Sequence, residues 1–526
     1  MGKTPRALLP TMKMLLEGEN QPNNAQKRIQ EIPEKEEEDG ISGLPDCLLL
    51  EILSRLPSTK DAIRTGTLSK RWAHLWTCVP TLIFAHYNHP YPWFSCKCLR
   101  KPNSIYDFAR SVEKTLTQCR QLKLKKFELR THYDIRFKSL FKNWIRHAIS
   151  CNVEELNLEF MFPDEFWLDQ SIFINSCFTD LKLVGCKLNP NGAISWKNLK
   201  SLYISYMKLD EDLIVNILSG SPLLETLVLE DLDDYTGIYT TSDDSSDDES
   251  EANIMKTNAS YSLSLTQCPQ LKLKKFKLLS NNDIKLKSQL NSWILYAIRC
   301  NVKEIYLILW TPEGIEYEFM LDQTLFTSSC FTHLTLHRCM VNPIGAISWK
   351  NLRNLCVSNG SLDEDLIKNI LLGSPVLETL ELEDCFGYKR LDITSKSVKK
   401  LVISGYKDFN IDRSEDDVIK INAPNIRSLT IQNEINLLKI LLVDVSSLVK
   451  ADLDYYICEG IWYNHTTPKE EMLKGFIMNL SHVKEIKIGL FCSKVVTCLQ
   501  EKGFIFPSNV KFPQVEEVTE SLTDWW

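Results

Sequence analysis

The chain has 526 residues, 25% of them charged and 44% hydrophobic, with a formal net charge of −7. This length exceeds what a single core organises, so several modules or an elongated repeat are expected. No run of about 18 apolar residues occurs, which argues against a membrane-spanning helix. The short apolar groups Leu8-Leu9 and Met14–Leu16 do not form a secretory signal, and Arg6 stands where a myristoylated Gly2 would need Ser or Thr. The expected location is therefore the nucleus and/or the cytoplasm. The 17 cysteines are odd in number and scattered through apolar contexts, so they read as reduced, buried thiols. Two tracts, Glu31–Asp39 and Asp243–Glu251, hold twelve carboxylates and one lysine, more than the whole net charge. The rest of the chain is slightly positive, and no nucleic-acid or membrane partner is expected.

Residues 1–40 are polar, acidic and poor in aromatics, and the composition predicts disorder. Residues 41–85 differ abruptly. Leu48, Leu49, Ile52, Leu53 and Leu56 form one apolar stripe on a helix that Pro45 can open and Pro57 stops. A second helix is predicted over Lys60–Thr65, with Gly66 weakening its end. Ser69 is a suitable N-cap for a third, on which Trp72 and Trp76 share a face. Three short helices cannot bury all these leucines among themselves, so part of the stripe needs a partner.

The order LPDCLLLEILSRLP, KDAIRTGTLSKRW, LWTCVPTLIF resembles the F-box of plant F-box/leucine-rich-repeat proteins over about 44 residues. In that family these helices dock on the Skp-type adaptor of a cullin–RING ubiquitin ligase. The resemblance implies adaptor contacts by Leu44, Pro45, Leu48, Leu49, Ile52, Leu53, Leu56, Pro57, Leu68, Trp72, Leu75 and Trp76. Gly66-Thr67 departs from the bulkier residues usual there. That departure predicts a looser middle helix, at about the 1 kcal/mol of a helix-interior glycine.

The remainder is internally duplicated. LTQC and QLKLKKF recur from Leu116 and Leu265, and Cys151-Asn152-Val153 recurs as Cys300-Asn301-Val302. GAISWKNL at Gly192–Leu199 returns unchanged at Gly345–Leu352, and SPLLETLVLED at Ser221 returns as SPVLETLELED at Ser374. Within each copy an LxxLxL motif repeats, with its middle residue at 156, 181, 202 and 227, then at 305, 334, 355 and 380. The spacing suits leucine-rich repeats. Less regular versions follow near Leu401, Leu429, Ala451 and Ile486. Between strands, Leu209–Pro222 reads as a helix with Leu213, Ile214, Ile217 and Leu218 inward and Gly220 closing it.

The fold class expected is α/β: a three-helix F-box, then a leucine-rich-repeat solenoid with parallel strands on the concave face and helices on the convex face. The predicted segments are an F-box at 41–85, a first copy at 105–232, an acidic flexible insert at 233–262, a second copy at 263–386 and irregular repeats at 387–526. Members of the family often end in a further module called FBD, whose presence in residues 440–526 the sequence leaves open. The strand at Phe276 is expected to stack on the strand at Leu227, keeping the solenoid continuous past the insert.

Catalytic chemistry is not visible: there is no phosphate loop, GxSxG elbow or HExxH. His333 and His337 fall on a predicted strand, about 13 Å apart, too far to share a metal. His86, His89, Cys96 and Cys98 read as an aromatic loop, since their spacing is not that of a zinc finger. Ser246 precedes Asp247, Asp248 and Glu249, a context acidophilic kinases favour, although a solvated linker is the simpler reading. No metal or other cofactor is expected.

Comparison of the copies is more informative. Of twelve core positions, ten are identical; of twelve positions flanking the inner leucines, eight differ. Strand alternation sends the flanking side chains to the exposed face, where drift is tolerated. The residues expected to meet a target protein are Glu155, Asn157, Asp180, Lys182, Tyr203, Tyr306, His333, Thr335, His337 and Glu381. The reading is a non-catalytic substrate receptor of an SCF-type ligase, in which binding supplies proximity and other subunits the chemistry. The alternatives are a scaffold without ubiquitin transfer and a hormone-type small-molecule receptor.

Overall fold

In the computed structural model the middle leucines of successive repeats line up, strand after strand, into one ladder. The structure describes residues 41, 43–87, 104–120, 123–161, 166–206, 209–231, 265, 268–281, 287–310, 319–406, 418–435, 439–456 and 467–512. The N-terminal tail, the loop with His89, Cys96 and Cys98, and the acidic insert lie outside them. The chain divides into two compact units, Met1–Leu49 and Leu50–Trp526.

Helix α1 spans Asp46–Ser54, and its first turn is closed by bonds from the Leu48 and Leu49 amides to the Pro45 carbonyl. Helix α2 (Thr59–Arg64) starts one residue before the sequence suggests. Ser58 explains this: it is extended, at φ −151°, and its hydroxyl accepts from the Asp61 amide at 3.2 Å. Gly66 lies in a 3-10 turn, Thr65–Thr67, where an added Cβ would stand 3.3 Å from the Ala73 Cα. Helix α3 keeps only Trp72–Leu75, followed by a 3-10 turn, Trp76–Cys78. Pro80 forces Val79 into an extended conformation, so the third helix has no room to continue.

Sixteen parallel strands form the main sheet in chain order. They are β1 (Thr81–Ala85), β2 (Lys126–His132), β3 (Glu155–Met161), β4 (Asp180–Val184), β5 (Ser201–Ser205), β6 (Thr226–Asp231), β7 (Lys275–Asn281) and β8 (Glu304–Trp310). They continue as β9 (His333–His337), β10 (Asn354–Ser358), β11 (Thr379–Cys385), β12 (Lys400–Tyr406), β13 (Ser428–Ile435), β14 (Lys450–Tyr456), β15 (Glu485–Ile488) and β16 (Val510–Lys511). This is a leucine-rich-repeat solenoid. Strand β1, inside the segment read as F-box, is its first strand, with Leu82 opposite Phe127.

All 24 duplicated core positions are buried, none more than 2% exposed, and they share one core with the inward faces of the intervening helices. Strands β6 and β7 pair directly, Leu227 opposite Phe276 and Leu229 opposite Leu278. The expected continuity past the insert is therefore present in the sheet itself. Ala451, Ile486 and Val510 carry the ladder to its end.

The unchanged GAISWKNL motif is explained by what it touches. The Trp196 indole donates to the Ile172 carbonyl at 2.7 Å, and Trp349 does the same to Leu325 at 2.8 Å. The Asn198 and Asn351 amides donate to the Ser176 and Ser329 carbonyls. Helix α4 (Glu211–Gly220), capped by Asp210, sends Asn216 to the Ile194 amide and the Gly192 carbonyl. Each repeat thus satisfies the buried backbone of its neighbour. Gly220 has a different reason from the one the sequence suggests. It is no left-handed cap: a Cβ there would lie 2.3 Å from the Ile194 carbonyl oxygen, and at Gly373 2.4 Å from that of Ile347. The left-handed residues are instead Asn152 (φ 49°) and Asn301 (φ 54°), which end the helices preceding β3 and β8.

Beyond Cys385 the repeats change type. Where earlier units carry helices, short strands at Arg390–Asp392, Val418–Asn422 and Lys439–Asp444 form a separate three-stranded parallel sheet. Val-Ile-Lys-Ile alternates with period two and is β-branched, which favours a strand.

Candidate functional site

Two surfaces carry the residues singled out in the sequence. The apolar stripe of α1 splits by helical phase: Leu49 and Leu53 are buried, whereas Leu48 and Ile52 are 49% and 44% exposed. Pro45 and Pro57 are exposed, Leu44 and Leu56 half-buried, and Leu68 is 68% exposed. Trp72, Leu75 and Trp76 are buried. The sequence treats these twelve residues as one contact set. The structure divides them by exposure within each unit: in Met1–Leu49, Pro45 and Leu48 are exposed and Leu49 is buried; in Leu50–Trp526, Ile52, Pro57 and Leu68 are exposed and Leu53, Trp72, Leu75 and Trp76 are buried. The module is also tied to the sheet, since the Ile83 amide donates to the buried Thr59 hydroxyl at 2.7 Å.

The second surface is the open face of the sheet. In β3, β4 and β5 the leucines point into the core, and Glu155, Asn157, Asp180, Lys182 and Tyr203 stand on the other face. With Lys126 and Ser201 these five line a shallow depression of about 320 Å³. A second depression, of about 360 Å³, is lined by Tyr306, His333, Thr335, Asn354, Cys356, Thr379 and Glu381. The two overlap in the duplicated copies but are shifted by one strand: the first takes in Lys126 of β2, whereas the second takes in Thr379 and Glu381 of β11. Nine of the ten residues expected to face a target fall into them; His337 lies further along β9, in register with Ile308 and Ser358.

The two depressions differ in charge arrangement. Beside the first, on β2, Glu128 is salt-bridged by Lys126 and Arg130, each at 2.8 Å. Burial pushes its carboxyl up, but Lys126, Arg130 and the Asn157 amide together hold it below the usual glutamate range. Lys182 pairs with Glu159 at 3.3 Å and lies over the Tyr203 ring, 5.1 Å from its centroid. Beside the second, Lys275 reaches Glu304 at 3.6 Å and covers the Tyr306 ring, and Lys400 pairs with Glu381 at 2.9 Å. Burial, then Glu383, pushes the Cys356 thiol up to about 12, so it is protonated and unreactive at neutral pH. Cys356, Glu381 and Glu383 bring one sulfur and two carboxylates within 4.8 Å of one another, a convergence the sequence does not reveal. Lys400 and Ser358 already satisfy the two carboxylates.

Near the start of the sheet His86 donates to or accepts from Ser104 at 2.7 Å, and burial, then His132, lowers it to about 4. It is a neutral packing residue. No helix among the described residues is long and apolar enough to cross a membrane.

Residues 115–236 and 265–474, more than half of the chain, match the family described as "At1g61320/AtMIF1, LRR domain", and residues 41–83 match the F-box domain. The chain belongs to the F-box/leucine-rich-repeat proteins. F-box/LRR-repeat protein At3g03360 of Arabidopsis thaliana is 36% identical over 202 residues, 37% of this chain and 39% of that protein. At5g02910 from the same plant is 39% identical over 200 residues, 36% of this chain and 38% of that protein. F-box/LRR-repeat protein 25, also from Arabidopsis thaliana, is 32% identical over 199 residues, 36% of this chain and 67% of that protein. The chain thus spans about two fifths of the first two relatives.

Proposed function

We infer that the protein is the non-catalytic substrate receptor of an SCF-type cullin–RING ubiquitin ligase, acting in the nucleus and/or the cytoplasm. Its F-box would bind a Skp-type adaptor and its sheet face a target protein. The observation that supports this most is the exposure of apolar residues in the F-box. Leu48, Ile52 and Leu68 expose apolar side chains, although Leu49 and Leu53, next to the first two in sequence, are buried. Burying such side chains is worth roughly 1.5–3 kcal/mol each, enough to anchor a partner. Leu49, Leu53, Trp72, Leu75 and Trp76 would then support the contact surface from within. No chemistry is required of the receptor itself, because holding a target beside a loaded enzyme raises its effective concentration.

Affinity purification of the tagged chain with mass spectrometry of its partners tests this. Adaptor and cullin should be recovered together, and Leu48→Ser/Ile52→Ser should lose both while the melting curve is retained. Adaptor without cullin would favour a scaffold. Undiminished adaptor recovery by the double variant would remove the main support for the ligase reading.

A further inference from the structure

The strands of the main sheet are parallel, so their first residues share one rim. Charge is distributed unevenly along it. From β2 to β11 the first residue of each strand and the residue before it together supply seven cations and six carboxylates. Neighbouring strands use them against one another: Lys274 pairs with Glu225 at 2.8 Å, Lys275 with Glu304 at 3.6 Å, and Arg353 with Glu378. From β12 to β15 the same positions supply five cations, Lys399, Lys400, Arg427, Lys450 and Lys484, and one carboxylate, Glu485.

The backbone fixes how close these cations lie. The Arg427 amide donates to the Lys399 carbonyl at 2.8 Å, the Val449 amide to that of Arg427 at 2.9 Å, and the Lys484 amide to that of Val449 at 3.1 Å. Residues 399, 427, 449 and 484 therefore form one row across four strands, and Lys450 follows Val449 at the start of β14. With adjacent strands about 4.8 Å apart, the row is about 14 Å long. Lys400 is neutralised by Glu381 at 2.9 Å, and Glu485 is taken by Lys511 at 3.3 Å. Lys399, Arg427, Lys450 and Lys484 have no ion-pair partner among the described residues, and the last three are exposed. Like charges on neighbouring strands are unfavourable, so the row carries a cost that the earlier repeats avoid.

We propose that the rim from β12 to β15 binds an acidic, extended segment of a partner protein. Its carboxylates lie across the strand starts and supply the counter-charge that the earlier repeats find within the sheet. Four or five residues of extended chain, at about 3.3 Å each, cover the row. A nucleic acid fits less well, because its phosphates call for a broad basic surface and these cations form a single row. Towards their far ends, β11, β13 and β14 carry Glu383, Glu434 and Asp454, which repel a second line of phosphates. The inference deepens the receptor reading by naming a partner chemistry. It rests on the repeat region being a binding surface, and not on the F-box reaching a ligase.

The test is fluorescence anisotropy of the full chain with three labelled probes: the peptide Gly-Ser-Glu-Asp-Glu-Asp-Gly-Ser, its Gln/Asn counterpart and a short oligo-dT. The acidic peptide should bind at least about tenfold more tightly than the neutral one, and its affinity should fall as salt is raised. Arg427→Gln/Lys450→Gln/Lys484→Gln should weaken it about tenfold with an unreduced melting temperature. Lys125→Gln/Lys200→Gln/Lys303→Gln removes as much exposed charge from the evenly charged part of the rim, and should change it less than about twofold. Equal binding of the neutral peptide, equal losses in the two triple variants, or tighter binding of the oligonucleotide would each overturn the proposal. So would a gain of about tenfold on deleting Asp243–Glu251, since the chain's own acidic tract would then be the occupant. Adaptor recovery is scored separately on the same variants. Its loss through Leu48→Ser/Ile52→Ser bears on the receptor reading alone.

Discussion

The two halves of the repeat region share an interior and differ on one face. From Val153 to Leu229 and from Val302 to Leu382 the core residues are nearly identical and all buried, yet the face changes from Asp180, Lys182 and Tyr203 to His333, Thr335 and Cys356. The difference follows from packing. A buried leucine is held by neighbours on every side, whereas a side chain on the open face answers only to what binds there. The same split runs through α1, where one face of a single helix is interior and the other is left apolar and exposed.

The comparison breaks most readily in the core. Leu227→Ala and Leu380→Ala occupy matching positions, each 2% exposed, and each should cost about 2–5 kcal/mol in chemical denaturation. A much smaller loss for Leu227 would mean that the sheet is looser where β6 meets β7 than within a copy. Next in size are the glycines. Gly220→Ala and Gly373→Ala would drive a Cβ into a carbonyl oxygen, and each should cost about 1–3 kcal/mol and leave neither copy spared. Trp196→Phe and Trp349→Phe keep most of the volume but orphan the Ile172 and Leu325 carbonyls, at about 1–3 kcal/mol towards the lower end.

The smallest effect sharpens the difference between the faces. Glu128 is held below its usual range in the folded state, so its contribution is present above the unfolded-state value, about 4.3, and is lost as pH falls through the lower folded value. Between pH 6 and pH 3 the wild type should therefore lose stability relative to Glu128→Gln. Lys277→Gln, at the corresponding place in the second copy, should run parallel to the wild type. Parallel curves for Glu128→Gln as well would show that Lys126 and Arg130 do not hold that carboxylate.

The ladder was legible because leucine spacing records burial directly; the apolar stripe and its prolines marked a helix, and the order LPDCLLLEILSRLP, KDAIRTGTLSKRW, LWTCVPTLIF carried the resemblance to an F-box. Which leucines of that stripe face outward was not legible. Leu48 and Leu49 are adjacent and chemically alike, and only the packed helices decide between them. Val510 was not legible because its strand is two residues long, nor were the short strands at Arg390–Asp392, Val418–Asn422 and Lys439–Asp444, which stand where earlier repeats carry helices. On the sheet face, alternation identified which residues are exposed. It could not show that Lys126 turns to Glu128 rather than Glu155, since that choice depends on side-chain geometry across three strands.

The central claim is that both copies belong to one sheet with one core. The most direct test is a specific protease site inserted between Asp244 and Ser245 of the full chain, followed by cleavage in native buffer. With Leu227 and Leu229 buried against Phe276 and Leu278, the two fragments should elute together from a sizing column and part only in denaturant. Clean separation of the fragments in native buffer would contradict the account and leave two independent repeat domains in its place.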